Sequence, residues 1–311
     1  VTDAVNMKAV SKYFKPGEID AKAAIAGNDI LLMPADVNKA IHAIRREIRR
    51  GTISRNDIDE RCKRILAAKK WVGLDTLKPL ELSGLPGRLN NHDSYVLQAR
   101  LAEASFTILR NQNQIMPIRK LDTLNIASLT IGVDTINTFQ KYLGLYCKVD
   151  HFLLPMGSSK MDFDSIRKVL EPYDLVLMGV QQTSSRLARV VGITDEIIRF
   201  VERIAAVQPT VLSLFANPYS LNNFRHLDDL AGLLIGYQDN KITQQLVPQL
   251  IFSGIVARGH LPASAGRYKP GDGLSTEKAW RSKYALPGSV GMNPEILMRI
   301  DTIAREAIEN K

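Results

Sequence analysis

The chain has 311 residues, 45% hydrophobic and 23% charged, which is ample apolar material to offset chain entropy and excludes disorder as the main state. No apolar run reaches the roughly 18 residues that a membrane-spanning helix needs, and two cysteines, Cys62 and Cys147, exclude a disulfide scaffold and a cysteine-based zinc site. The net charge of +9 is dispersed; its densest group, Arg45, Arg46, Arg49 and Arg50, shares a helical pattern with Ile41, Ile44 and Ile48 and reads as a solvated face, so without aromatic platforms nucleic acid is not an expected partner.

The chain opens Val1-Thr2-Asp3-Ala4-Val5, with neither an initiator Met nor a signal peptide, and it ends inside a helical pattern, so both ends are expected to be cuts from something longer. Asp3 follows what reads as the end of a strand. Helices are predicted over residues 7–13 and 19–26, the second closed by Gly27-Asn28. Ile30-Leu31-Leu32-Met33, stopped by Pro34, reads as a buried strand. Asp36 is placed to cap a helix over 37–50, and Ser54 opens another that runs to about Val72 and closes at Gly73. Residues 1–74 thus read as βα units with parallel strands, too few to make a domain alone, and partner elements are expected upstream of Val1.

Residues 75–91, rich in Leu, Pro and Gly without a period, read as a linker. Residues 92–266 form a second unit, opening with a helix over 93–105. Strands are predicted at 126–131, 147–154, 175–180, 211–215 and 230–235, and helices at 135–143, 163–170, 194–206 and 241–252. This alternation predicts a doubly wound α/β domain. Residues 267–290 read as an exposed linker. Asn293-Pro294 opens a last helix in 291–311, the expected start of a further domain.

Asp3 is the best catalytic candidate, because active sites of (β/α)8 barrels lie at the C-terminal ends of the strands. An Asp there also serves as a helix N-cap, and both roles stand on these residues alone. Cys62, on a helical face near Ile65 and Leu66, is expected to be buried. His151 reads as a packed or edge histidine. Gly157-Ser158-Ser159-Lys160 lacks the S-x-x-K spacing of penicillin-recognising enzymes and reads as a polar loop. Gly236-Tyr237-Gln238-Asp239 follows a strand, with Asp239 as the expected cap.

Read together, Thr2-Asp3-Ala4-Val5-Asn6-Met7 and Ala23-Ala24-Ile25-Ala26-Gly27-Asn28-Asp29-Ile30-Leu31-Leu32-Met33 resemble the closing segments of glycoside hydrolase family 3 barrels. Ile58 to Lys69 with Gly73-Leu74 is similar to that family too. Ala104 to Asn111, Met116-Pro117-Ile118, Asn217-Pro218-Tyr219, Phe252-Ser253-Gly254 and Gly259-His260-Leu261-Pro262 resemble its α/β sandwich domain. The implied fold is α/β, the C-terminal part of a (β/α)8 barrel followed by a sandwich. The β-N-acetylglucosaminidase branch is most similar.

The resemblance implies that Asp3 is the nucleophile of a retaining hydrolysis, with Asn6 and Met7 lining the sugar site; packing and capping of the next helix are the equal alternative for that pair. The branch's Asp/His acid/base pair would precede Val1. Other members carry an acidic Glu near an E-G-x-D-R pattern, and the comparable stretch, Gln181 to Arg189, holds no carboxylate. The implied substrate is a terminal β-linked N-acetylglucosaminide, with peptidoglycan fragments as its expected source, the N-terminal barrel half as a missing partner, no cofactor and no metal. The expected location is the cell envelope or periplasm, with the cytoplasm as the alternative, and the chain alone is expected to be inactive. The last helix resembles the start of a serine β-lactamase-related domain that some members carry. Two rivals stand: a non-catalytic carbohydrate-binding or scaffold module, and a β-glucosidase of the same family.

Overall fold

A computed structural model describes residues 1–181 and 193–310. The stretch 182–189, compared above with the acid/base loop of other family members, and the terminal Lys311 lie outside the described residues. The chain divides into two compact units, the first Val1–Gly84 and the second from Leu85 onward. The division falls inside the expected linker. That segment contains a short 3-10 turn at Leu74–Thr76 and the helix α5 described below.

The first unit holds α1 (Lys8–Ser11), α2 (Glu18–Ile25), α3 (Val37–Arg49) and α4 (Arg55–Trp71). Ala4 and Leu32 form a parallel bridge, flanked by Thr2 N–H to Ile30 O and Val5 N–H to Leu32 O, each 3.0 Å. Two extended segments in parallel register, each followed by a helix, are the expected βα layout. The second segment is not the buried strand that was expected. Ile30, Leu32 and Met33 are exposed, the pairing is one bridge long, and Met33 turns to φ 51° before Pro34, which has no N–H to continue a ladder.

Capping follows the predictions. Asp36 accepts Lys39 N–H at 3.0 Å, and Ser54 with Asp57 forms a reciprocal capping box. The buried face of α3 is Ala40, Ala43 and Glu47, whereas Ile41 is exposed. Small side chains let α3 approach Ala21 and Ala24 of α2 closely. Glu47 is tolerated there because its carboxylate takes Arg50 Nη1 at 2.9 Å and Thr52 Oγ1 at 3.1 Å. Cys62 is exposed on α4, contrary to expectation, as are its neighbours Lys63, Arg64 and Leu66.

The second unit holds α5 (Leu85–Leu89), α6 (His92–Ser105), β1 (Thr107–Asn111), β2 (Ile126–Ile131), α7 (Thr138–Leu143), β3 (Asp150–Leu154), α8 (Lys160–Leu170) and β4 (Leu175–Val180). Then come α9 (Asp195–Ala205), β5 (Thr210–Leu214), β6 (Gly232–Ile235), α10 (Lys241–Ile251) and α11 (Pro294–Glu309). The six strands form one sheet in the order β1-β6-β5-β4-β2-β3. All pairs are parallel except β1 with β6.

Side-chain alternation sends Ala127, Leu129, Val176 and Met178 into one core with α8 and α9. It sends Ile126, Leu175 and Leu177 into the other with α7 and α10. Each fully buried Leu there contributes about 1.5–3 kcal/mol. Buried Ser128, facing the second core, shares Oγ with His151 Nδ1 at 2.7 Å and receives Gln140 Nε2 at 3.2 Å. His151 is thus the packed edge histidine that was expected, on the outermost strand.

Residues 267–290 are not a free linker. Leu274 pairs with Ile108, Trp280 N–H donates to Ser253 O at 3.0 Å, and Arg281 Nη1 donates to Phe252 O and Ile118 O at 2.7 and 2.9 Å. Long-range hydrogen bonds hold this strap onto the second unit.

Candidate active site

Asp3 lies in a bend within the extended segment that pairs with residues 30–32, and its side chain is exposed. Its Oδ1 accepts the N–H of Ala4 at 2.8 Å. It does not cap α1: the N-cap position is Met7, which makes no side-chain cap bond. The capping alternative for Asp3 is therefore set aside. Asn6 and Met7 are both exposed in the turn that follows, and Met7 N–H returns to Ala4 O at 3.2 Å. One short turn thus carries Asp3, Asn6 and Met7, and neither Asn6 nor Met7 packs into a core.

The support beneath this turn was not read from the sequence. Thr2 Oγ1 accepts Leu32 N–H at 2.9 Å, tying the Asp3 segment to its parallel neighbour. The neighbour is held by α4. Arg64 reaches Asp29 through Nη2 to Oδ1 at 2.6 Å and Nε to Oδ2 at 3.2 Å. Arg61 Nη1 donates to Ala24 O at 2.7 Å and Asn28 O at 2.9 Å. The Arg64 hydrogen bond holds the Asp29 carboxyl below the usual carboxylate range, against the opposing effect of burial. Gly27 has φ 96°, which lets α2 turn directly into this loop. The Gly-Asn-Asp sequence is therefore a clamp that sets the height of the extended segment beside Asp3.

In the second unit the carboxyl ends of β2, β4 and β6 carry amides. Asn137 Nδ2 donates to Gln181 Oε1 at 2.9 Å, and Gln244 Nε2 donates to Asp239 Oδ1 at 2.7 Å. Asp239 is not the helix cap; Asn240 is, accepting Thr243 N–H at 3.0 Å. A cavity of about 520 Å³ opens there, lined by Gln98, Ser105, Tyr237, Asn240 and His260 among others. Tyr237 adopts φ 61° and hydrogen-bonds Thr107 Oγ1 at 2.7 Å. Ser159, in the polar loop before α8, caps that helix with Asp162. Among the described residues no cluster of three or more His, Cys, Asp or Glu is placed to hold a metal, and no helix is long and apolar enough to cross a membrane.

Residues 1–68 match the sequence model of the glycosyl hydrolase family 3 N terminal domain. A β-N-acetylglucosaminidase/β-glucosidase of Cellulomonas fimi is 26% identical over 234 residues, covering 71% of this chain and 42% of its own. A family 3 β-N-acetylglucosaminidase from Paenibacillus superposes with a TM-score of 0.64 at 19% identity, over 86% of this chain and 51% of that one. A Listeria innocua β-glucosidase with glucose superposes at 0.65 and 17% identity, over 84% and 39%. The fold is that of enzymes built from a barrel and an α/β sandwich, and the chain is similar to glycoside hydrolase family 3 over residues 1–68. It spans about half the length of the relatives it matches, or less.

Proposed function

We propose that this chain is part of a retaining glycosidase that removes terminal β-linked N-acetylglucosamine, with Asp3 as nucleophile. The observation that carries this reading is the position of Asp3. It sits in the Thr-Asp-Ala-Val-Asn-Met turn, inside the family-matched stretch, on an extended segment in parallel register with its neighbour. A carboxylate there suits attack on an anomeric carbon, since it is exposed and, among the described residues, its Oδ1 bonds only the adjacent backbone N–H. Attack forms a glycosyl ester and expels the aglycone oxygen, which an acid elsewhere in the enzyme must protonate. Water then cleaves the ester with net retention. Asn6 and Met7, exposed in the same turn, are proposed to line the sugar site. Peptidoglycan fragments are the proposed source of substrate and the cell envelope the proposed location.

The name of the Cellulomonas fimi relative covers both N-acetylglucosaminidase and glucosidase activities, which keeps a β-glucosidase as the second reading. The test compares aryl N-acetyl-β-glucosaminide with aryl β-glucoside on the longest native polypeptide that contains this sequence, as wild type and Asp3→Ala. Preference for the acetamido sugar, with a loss on the order of 10³-fold or more in the variant, is the expected result. Preference for the glucoside selects the second reading. Equal activity of both proteins removes Asp3, and no activity in either favours a non-catalytic module.

A further inference from the structure

A second cavity of about 560 Å³ lies between α6, α7, α10 and the strap. Its volume is within the range of small-molecule sites. It is lined by the side chains of Tyr95, Arg100, Tyr142, Lys241, Gln245 and Tyr284, with Val96 and Leu246 among its apolar residues. The strap is built into it rather than laid across it. Tyr284 N–H donates to buried Gln249 at 2.9 Å, and its hydroxyl donates to Leu145 O at 3.1 Å. Gly288 N–H donates to His92 Nε2 at 2.9 Å.

Two features give the cavity a chemistry. The first is charge. Lys283 pairs with Glu103, which leaves Arg100 and Lys241 without an acidic partner among the described residues. Lys241 also opens the first turn of α10, a position that ordinarily favours anions over cations. The second is the combination of aromatic face and unused polar groups. Tyr95 and Tyr284 are each 45% exposed, while the Tyr142 hydroxyl and the Gln245 side-chain amide have no hydrogen-bond partner among the described residues. A few polar groups converging on a largely apolar pocket are what orients a small ligand. Tyrosine rings offer a flat apolar face to the C–H face of a pyranose, amide and phenol groups match its hydroxyls, and two free cations match a carboxylate.

We propose that this cavity binds an acidic saccharide, a pyranose carrying a carboxylate, held between Tyr95 and Tyr284 with Arg100 and Lys241 on the acid. All the residues belong to the second unit, so the inference does not rest on the role of Asp3. The test is calorimetric titration of the whole chain with N-acetylmuramic acid, N-acetylglucosamine and benzoate. Saturable one-to-one binding of N-acetylmuramic acid is expected, at least about tenfold tighter than the other two. The double surface variant Arg100→Gln/Lys241→Gln should weaken it about tenfold, as expected for loss of charge-assisted hydrogen bonds. Tyr95→Ala should weaken it by a similar factor, and Asp3→Ala should leave it unchanged. Equal binding of N-acetylglucosamine overturns the carboxylate, equal binding of benzoate overturns the sugar, and absence of saturable binding, or binding untouched by the double variant, overturns the site. Loss of binding in Asp3→Ala assigns the heat to the first unit and overturns the proposal as well.

Discussion

Arg64 grips Asp29 with two of its guanidinium nitrogens, 35 residues away in sequence, at 2.6 and 3.2 Å. One turn earlier on the same helix, Arg61 spans the carbonyls of Ala24 and Asn28. The two arginines clamp the loop that sets the segment beside Asp3. Arg61→Ala leaves two carbonyls at the end of α2 without their charged donor. A loss of about 1–3 kcal/mol from the first unit is expected, with faster amide exchange over residues 24–32 as the measurement.

The Asp29 clamp has a defined pH dependence. Its carboxyl is held below the ordinary value of 3.8. A depressed acid contributes stability that is fully present above the ordinary value and is lost as pH falls through the lowered one. Exchange over residues 28–32 should therefore be insensitive to this group between pH 7 and about 5, once intrinsic rates are removed. It should rise only in stronger acid. Asp29→Asn should abolish that acid step while raising exchange at neutral pH.

His151 predicts a second pH effect, in the second unit. Burial pushes its imidazole below the ordinary 6.5, against the pull of Asp150. The folded state thus prefers the neutral ring, so stability is full above 6.5 and declines as pH falls below it. The melting temperature of the second unit should drop between pH 7 and 5, and His151→Gln should flatten that drop.

The strap makes a mechanical prediction. Arg281 joins Phe252 O, Ile118 O and, at 3.3 Å, Arg119 O, while the Arg119 guanidinium stacks 3.8 Å over Trp280. Arg281→Ala should release residues 267–290 to limited proteolysis several-fold faster, with the sheet still folded by circular dichroism. An unchanged cleavage rate would show that other bonds hold the strap.

Much of this architecture was legible in the sequence, for identifiable reasons. β2 and β4 lie in the sheet interior and are buried on both faces, so the run of residues is the strand. β3 begins only at Asp150, three residues later than predicted, because an edge strand is not required to pair along the whole apolar run. At α7 the cap is Asn137, accepting Gln140 N–H at 3.0 Å, so residues 135–136 stay outside the helix. Asn240 caps α10 in place of Asp239 after Tyr237 turns the chain through positive φ, a choice made by the exit from β6. The role of Asp29 was hidden because its partner is on another helix. The strap has no hydrophobic period, and its hold comes from backbone carbonyls that no sequence pattern marks. Cys62 was misplaced because a nearby Ile and Leu do not by themselves bury a helical face.

The most direct measurement of the central claim is a trapping experiment. The longest native polypeptide containing this sequence would be incubated with a 2-deoxy-2-fluoro-glycosyl fluoride, digested, and its peptides read by mass spectrometry. A single glycosyl ester on Asp3, absent from Asp3→Ala, is the expected result. A label on another carboxylate, with Asp3 unmodified, would contradict it.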